Sequence, residues 1–321
     1  MGDTLGDGHP WSGEPNAVAD SALVSVVTPV YNGGRYLDVC IDSVRAQSHA
    51  ELEHVILDNA STDDTAAIAA RHAGRDRRVR VYRNEATLSM LDNWNRAIEL
   101  MSPEARYCWL LPADDMMYPR AIERMVDVGL RHPAVGIVGS LRRRGEAIEC
   151  GGLPKESEVF SGREIGRLFL AGRVFAIAPT TNLMRADLVR ARRPFHRSQR
   201  LHEDIAAFLE VLPTCDFGFV HEVLAFSRLD EESGTTTIRD YLGMLIEYGP
   251  DYFDAAELRA TEGRHVRRYC RMLLRTYLTP GGALLRRQHM AALRDLGRVP
   301  GPTTYGMAIA EKAFALFAPR L

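Results

Sequence analysis

Short apolar runs alternate along this chain with segments whose apolar residues recur at helical spacing, as Leu37, Ile41 and Val44 do. The predicted strands are Leu23–Thr28, Leu52–Leu57, Val79–Tyr82, Tyr107–Leu111 and Val135–Ser140. The helices predicted between them include Asp63–Arg71, Asp92–Met101 and Pro119–Arg131. Strands that alternate with helices pair in parallel, because each connection crosses back over the sheet. The sequence therefore predicts an α/β fold with a mostly parallel sheet flanked by helices on both faces.

The fourth predicted strand runs through Pro112 and Ala113 into two adjacent aspartates, Asp114 and Asp115. In an open α/β sheet, ligands bind beyond the carboxyl ends of the strands, which is where these carboxylates fall. Two hard oxygen ligands suit Mg²⁺ or Mn²⁺ better than zinc or copper, and such an ion would hold a diphosphate. The alternative is a solvated turn that caps the helix opened by Pro119. This stretch alone leaves both interpretations open.

The turns after the first two predicted strands are also polar. The turn PVYNGG at residues 29–34 lacks the GxGxxG pattern, which disfavours a nicotinamide or flavin enzyme. Asp58 ends the second strand, where its carboxylate either accepts hydrogen bonds from a base or ribose or serves only as a turn aspartate. Ser61 and Asp64 have the spacing of a capping box at the start of the next helix.

Cysteine usage and the first residues bear on the cellular compartment. The five cysteines are odd in number, scattered and without CxxC spacing, which predicts neither a disulfide framework nor a zinc site and fits a reducing cytoplasm. Residues 1–21 are rich in Gly, Asp and Pro and lack an apolar core, which predicts a disordered lead-in and not a signal peptide. No run of 18 apolar residues occurs, so we expect a cytoplasmic protein without a membrane span.

The net charge of −2 conceals two basic blocks. Residues 141–200 carry 13 Lys and Arg against 6 Asp and Glu, and residues 254–321 carry 12 against 5. Such blocks either face phosphates or an anionic membrane surface or, more commonly, form solvated helix faces. Nucleic acid is not favoured as a partner, because zinc-finger spacing and an aromatic RNP-like strand are absent from the sequence.

Four motifs follow one another in a set order: VSVVTPVYNGGRYLDVCIDSV, VILDNASTDDT, NWNRAIEL and LLPADD. In this order they resemble the family 2 inverting glycosyltransferases, which have the GT-A fold, over roughly residues 23–230. The resemblance implies that the Pro-x-Tyr-Asn turn, with Pro29, Tyr31 and Asn32, lies against the nucleotide base. It implies that Asp58 reads the base. Asn95 matches an asparagine of the family that precedes the Asp-Asp strand, and we assign it to the donor site.

The same resemblance implies a metal site and a cofactor, Mn²⁺ or Mg²⁺. Asp115 matches the aspartate that binds the metal, and Asp114 the one that contacts ribose or metal. Where the family often has Arg-x-His, with the histidine near the metal, this chain has Arg228-Leu229-Asp230. Asp230 is therefore the expected third ligand, since aspartate also binds a hard cation. The loop Glu231–Thr237 that follows is expected to close over donor or acceptor.

The predicted general base lies farther along the chain. Glu203 and Asp204 open a segment with the apolar face of a helix, which by itself indicates only acids that favour a helix N-terminus. The resemblance implies that the aspartate of this pair, Asp204, is the general base. An inverting transfer needs one carboxylate to accept the proton of the acceptor hydroxyl on the face opposite the leaving diphosphate.

These matches divide the chain into a GT-A domain, 22–237, and a helical C-terminal extension, 238–321. Within the domain, 22–140 is expected to bind the nucleotide-sugar and 141–237 the acceptor. The predicted elements of the acceptor side are a helix at Ser161–Leu170, with Ser161 and Glu164 as a capping box, and a strand at Thr180–Met184. The last stretch, Tyr305–Ala318, either lies on a membrane or, as we favour, docks on the protein.

The sequence thus predicts a metal-dependent transfer of sugar from a nucleotide-diphospho-sugar, on family grounds a UDP-sugar. The expected acceptor is a saccharide or a saccharide linked to polyprenyl diphosphate, with peripheral contact at the inner membrane face through the basic C-terminal region. Two alternatives stay open: a sugar-nucleotide-binding protein without turnover, and a nucleotidyltransferase.

Overall fold

The structure is a computed structural model that describes residues 22–197, 203–228, 238–276, 287, 290, 291 and 293–317. Three of the predictions above fall outside the described residues: the disordered lead-in, the metal ligand Asp230 and the loop Glu231–Thr237.

One sheet runs through the described part of the chain. Its strands are β1 (Val24–Val30), β2 (Leu52–Asp58), β3 (Val79–Arg83), β4 (Tyr107–Leu110), β5 (Met116–Met117), β6 (Val135–Arg144), β7 (Ala147–Glu149), β8 (Val159–Ser161), β9 (Asn182–Arg185) and β10 (Asp216–Ser227). The strand order is β3-β2-β1-β4-β9-β6-β10-β5, with β7 paired to β6 and β8 to β10. The longest ladders, β1 with β2 and β6 with β10, are parallel, as predicted. Strand β9 runs antiparallel between β4 and β6.

Helices cover both faces of this sheet. They are α1 (Leu37–Arg45), α2 (Thr65–Ala73), α3 (Met90–Glu99), α4 (Ala121–Arg131), α5 (Gly162–Leu170), α6 (Ala186–Ala191), α7 (Glu203–Val211), α8 (Ile238–Tyr252), α9 (Ala255–Thr276) and α10 (Pro302–Phe317). Successive strand residues point to opposite faces, so β4 buries Trp109 in a cluster with α1 and α4, and Cys108 and Leu110 in a second cluster with α3, α5 and α7. The prediction of an α/β fold with helices on both faces is confirmed.

Both predicted capping boxes are wrong. Helix α2 begins at Thr65 without a side-chain cap, because the Ser61 hydroxyl accepts the backbone N–H of Asn32 instead, at 2.9 Å. Helix α5 likewise begins without a cap from Ser161. Caps that were not predicted form elsewhere: the Ser89 hydroxyl accepts the N–H of Asp92 at the start of α3, and Asp254 Oδ1 accepts the N–H groups of Ala256 and Glu257 at the start of α9. The partner with which a serine hydroxyl forms its hydrogen bond depends on tertiary contacts that the local sequence does not reveal.

The C-terminal helices pack against the rest of the molecule and against each other. Helix α8 buries Met244, Leu245 and Tyr248 in the core that lies between α5 and the sheet. A smaller core joins α8, α9 and α10 and includes Tyr269 and Ala308. The favoured docking of the last stretch on the protein is thus observed for its described residues. Within the described ranges, no helix has the length and apolar character needed to cross a membrane.

Candidate active site

Three parallel strands bring their carboxyl ends to one edge of the sheet. In the ladder of β1 with β2, Val30 pairs with Asp58, and in the ladder of β1 with β4, Val27 pairs with Leu110. The turn after β1, the end of β2 and the Asp114-Asp115 pair after β4 therefore meet at this edge. These are the elements to which the sequence assigned donor and metal binding.

The turn after β1 is held in a fixed shape by the loop that precedes α2. The backbone N–H groups of Gly33 and Gly34 donate to Thr65 Oγ1 and Asp63 Oδ2, each at 2.9 Å. Asn32 adopts a left-handed conformation (φ 48°), and its Oδ1 accepts the N–H of Thr62 at 2.9 Å. A side-chain amide in this position stabilises a backbone geometry that most residues avoid. Asn32 therefore builds the turn.

The turn also leaves an aromatic ring at the mouth of the site. Tyr31 is 53% exposed, while Pro29 is buried within β1. An exposed ring beside a rigid turn is a flat apolar surface on which a planar base can stack.

Asp58 is held by the protein itself. Its side chain is 1% exposed, Oδ1 accepts the N–H of Ser61 at 2.9 Å, and Oδ2 is paired with the Arg83 guanidinium. Arg83 in turn donates to the Ser61 carbonyl oxygen at 2.8 Å. A buried carboxylate needs such a partner, because an unpaired charge is costly in the interior. In this structure Asp58 orders the loop that shapes the turn after β1.

Three buried asparagines lie beside Asp58, and the sequence analysis missed them. Asn84 Nδ2 donates to Asn59 Oδ1 at 2.8 Å and to Asn93 Oδ1 at 2.9 Å. Asn59 also bonds both backbone polar groups of Leu88. Asn84 Oδ1 is buried with no hydrogen-bond partner among the described residues. This network ties α3 and the loop after β3 to the end of β2, and it has no local sequence pattern by which it could be found.

Asp115 lies in a buried pocket formed by distant parts of the chain. Its side chain is 7% exposed, and Oδ2 accepts the hydroxyls of Thr180 and, at 3.1 Å, of Ser227. Oδ1 accepts the N–H of Arg228 at 3.1 Å. Burial raises the pKa of this carboxyl from 3.8 to about 6, and the neighbouring charge of Asp114 adds to the rise. Among the described residues, the groups that donate hydrogen bonds to this carboxylate are all neutral, so none of these bonds balances its buried charge.

Arg228 provides a positive charge at this edge. Its guanidinium Nε donates to the backbone oxygen of Asp114 at 3.3 Å, and its guanidinium carbon lies 4.2 Å from the centre of the Tyr36 ring. The ring holds the planar guanidinium in place by a cation–π contact. No role was predicted for Arg228, although it opens the triplet Arg228-Leu229-Asp230 that replaces the family's Arg-x-His.

The carboxylate oxygens at this edge of the sheet are suitable ligands for a divalent cation. Asp115 Oδ1 accepts only one hydrogen bond among the described residues and retains a lone pair, and the Asp114 carboxylate is half-buried beside it. Two adjacent carboxylates suit a hard cation, and the raised pKa of Asp115 shows that a positive charge would stabilise its ionised form.

A second group with metal-ligand atoms close together lies on α1 and α2. Ligand atoms of Asp38, Asp42 and His72 fall within 4.8 Å of one another. Arg71 already pairs with Asp38 at 2.5 Å, and Arg45 with Asp42 at 3.0 Å. These arginines balance the acidic charge, and the group forms a surface ion-pair network.

The structure places Asn95 away from the other donor-site residues. Residues two positions apart on a helix point in nearly opposite directions, so Asn93 reaches the network beside Asp58 while Asn95 faces the other way. The nitrogen and the oxygen of the Asn95 side-chain amide both form hydrogen bonds with the backbone of His196. Asp204 is half-buried in the first turn of α7, after the buried Glu203.

Comparison with known proteins finds a family model, curated relatives and solved structures that are similar to this chain. The family model described as "Glycosyl transferase family 2" matches residues 25–192. The glycosyltransferase GlyG of Streptococcus pneumoniae is 29% identical over 37% of this chain and 39% of its own length. The chain spans 13–39% of the length of the first curated relatives that it matches.

Two solved structures share the fold. S. aureus TarS in complex with UDP-GlcNAc aligns over 86% of this chain and 81% of its own, with a TM-score of 0.63 and 15% identity. The mannosyltransferase PcManGT of Pyrobaculum calidifontis, in complex with GDP-Man and Mn²⁺, aligns over 97% and 85%, with a TM-score of 0.56 and 15% identity. The GT-A type of α/β fold predicted from the motifs is thereby confirmed.

Proposed function

Because the chain belongs to glycosyl transferase family 2, we propose that it transfers a sugar, with inversion, from a UDP-sugar to a saccharide or lipid-linked saccharide acceptor. One observation supports this most directly: three parallel strands bring an exposed tyrosine turn, a buried aspartate and an Asp-Asp pair to one edge of the sheet. TarS in complex with UDP-GlcNAc supports a uridine donor at this fold.

In this proposal the nucleotide base stacks on Tyr31, against the turn that contains Pro29 and Asn32. Asp58 holds the Ser61 backbone through Oδ1, and an N–H group of the base shares Oδ2 with the Arg83 guanidinium. Because Oδ2 has a second lone pair, it can accept the base without losing the ion pair that balances the buried charge.

The diphosphate lies at the Asp-Asp edge. Asp115, with Asp114, would hold the divalent cation, which when bound neutralises charge on the leaving diphosphate. PcManGT in complex with GDP-Man and Mn²⁺ supports a divalent cation at this fold. The Arg228 guanidinium, which packs on the Tyr36 ring, contacts the same diphosphate. It stabilises the negative charge that develops on the diphosphate as this group leaves.

Asp204 is the general base. The acceptor hydroxyl oxygen attacks the anomeric carbon, its proton passes to an Asp204 carboxylate oxygen, and the bond from that carbon to the diphosphate oxygen breaks with its electron pair. Attack opposite to the leaving group inverts the anomeric configuration. The products are the glycosylated acceptor and a nucleoside diphosphate.

Product analysis tests the reaction. Incubation with UDP-sugars or GDP-mannose, Mn²⁺ and a panel of saccharide acceptors should give a glycosylated acceptor and free nucleoside diphosphate. Release of pyrophosphate would instead indicate a nucleotidyltransferase, and donor binding without product a binding protein.

Asp204→Asn tests the base. We expect donor affinity to be unchanged and kcat to fall about 100-fold or more, because the amide cannot accept the proton. Glu203→Gln is the matched control: Glu203 Oε2 accepts the N–H of Arg197 at 3.1 Å, and a glutamine oxygen can do the same. Full activity of both variants would remove α7 from the chemistry.

The lipid-linked acceptor, if used, places the enzyme at the cytoplasmic face of a membrane. Helix α9 supports this peripheral contact because Arg264, Arg268 and Arg275 are exposed and lie on one side of it. Clustered arginines attract anionic lipid surfaces.

A further inference from the structure

Residues 192–197, which we call the strap, lie between α3 and α7 and form hydrogen bonds with both helices. On the α3 side, Asn95 Nδ2 donates to the carbonyl oxygen of His196 at 2.7 Å, and the His196 N–H donates to Asn95 Oδ1 at 2.7 Å. The amide thus pairs with both polar groups of one residue, as a strand neighbour would. This double contact fixes the strap in position and in orientation.

On the α7 side, the strap holds both ends of the helix. His196 Nδ1 lies 3.3 Å from the carbonyl oxygen of Glu203, and since a carbonyl only accepts, this nitrogen carries the proton. The Arg197 N–H donates to Glu203 Oε2 at 3.1 Å. At the far end of α7, Glu210 Oε2 accepts from Arg192 Nε at 3.0 Å and from Arg197 at 3.1 Å.

The His196 ring is rigidly placed. It is 1% exposed and makes edge contacts with Trp94, at 5.5 Å, and Phe195, at 4.9 Å between ring centres. Burial lowers the pKa of His196 to about 4, so the ring stays neutral near pH 7. A neutral ring with its proton on Nδ1 keeps the bond to α7 constant across the working pH range.

From these contacts we infer that Asn95 is a positioning residue for the proton acceptor Asp204, and not a donor ligand. It sets the place of the strap, the strap sets the first turn of α7, and Asp204 is the second residue of that turn. A general base must lie within hydrogen-bond reach of its proton, and a displacement of about 1 Å can cost about 100-fold in rate. The role of Asp204 as the base in this inference rests on the proposed function. The placement of α7 by Asn95 is independent of that function.

Kinetics test the role. Asn95→Ala should lower kcat about 10–100-fold with donor KM and Kd unchanged, because it moves the base and leaves the donor pocket intact. Arg96→Ala, an exposed change on the same helix, is the matched control and should have no effect. In the Asp204→Asn background, Asn95→Ala should cause no further loss, since the group that it positions is already gone.

Equal losses in both backgrounds, or a raised donor Kd with unchanged kcat, would overturn the inference. Hydrogen exchange provides a readout that needs no activity: in Asn95→Ala, amides of α7 should exchange at least about tenfold faster while those of α4 do not. Unchanged exchange in α7 would reject the positioning role whatever the enzyme does. If α7 loosens but no nucleotide-sugar supports transfer by the wild type, only the proposed function fails.

Discussion

Replacement of Asp115 by asparagine should stabilise the metal-free protein. The carboxylate is buried, and burial raises its pKa to about 6. Within the described part of the chain it receives hydrogen bonds only from neutral groups, namely Thr180, Ser227 and the Arg228 N–H. Asparagine has the same shape. Its oxygen can accept the Arg228 N–H, and both hydroxyls can rotate to accept from its NH₂ group.

The magnitude follows from linkage. A carboxyl with a pKa of 3.8 when unfolded and about 6 when folded destabilises the folded state as it ionises. This cost is absent below pH 3.8, grows between 3.8 and 6, and is complete above 6. At about 1.4 kcal/mol per pKa unit, it amounts to about 1–2 kcal/mol at pH 5 and about 3 kcal/mol at pH 8. The Asp115→Asn variant does not have this free-energy cost, because asparagine does not ionise.

Urea unfolding with chelator present, at pH 5 and pH 8, measures this difference. Asp114→Asn is the control for the loss of one carboxylate at the same edge, and its gain should be smaller because water reaches that half-buried side chain. Added Mn²⁺ should stabilise the wild type but not Asp115→Asn. A variant that is no more stable than the wild type at pH 8, or whose gain does not change with pH, would refute the reasoning.

Three further changes give distinct results. Arg228→Ala should raise donor KM about tenfold or more, with partial recovery in Arg228→Lys, if the guanidinium binds the diphosphate; an unchanged KM would exclude that contact. Gly33→Ala should lower the free energy of unfolding by about 1–3 kcal/mol in urea titrations, because its Cβ would lie 2.4 Å from a Val30 methyl carbon; equal stability would show that the turn can shift. Arg264→Gln with Arg268→Gln should reduce sedimentation with anionic vesicles at low salt, whereas equal recovery would reject the membrane contact.

The strands and their polar ends were predictable because period and strand length leave a local trace in the sequence. The partners of Asp115 were not, since Thr180 and Ser227 lie 65 and 112 residues away and neither has a pattern that indicates a carboxylate neighbour. The capping boxes failed for a related reason: Ser61 matches the motif, but Asn32 offers its hydroxyl a better-placed donor. The donor-site role of Asn95 was predicted from the motif around it in the chain, whereas its side chain contacts His196, 101 positions away.

Strand β10 has a consequence for how the molecule is made. Among the described residues it is the last strand of the sheet in chain order, and it pairs with β6, β5 and β8. Pairings between such distant segments form slowly, because a long loop must close first. Until residue 227 has been synthesised and docked, Asp115 lacks Ser227 and β6 presents an open edge, which favours aggregation. Fragments that stop before β10, including residues 22–140 alone, should therefore collect in inclusion bodies, and donor with Mn²⁺ should raise the refolding yield only of chains that contain this strand.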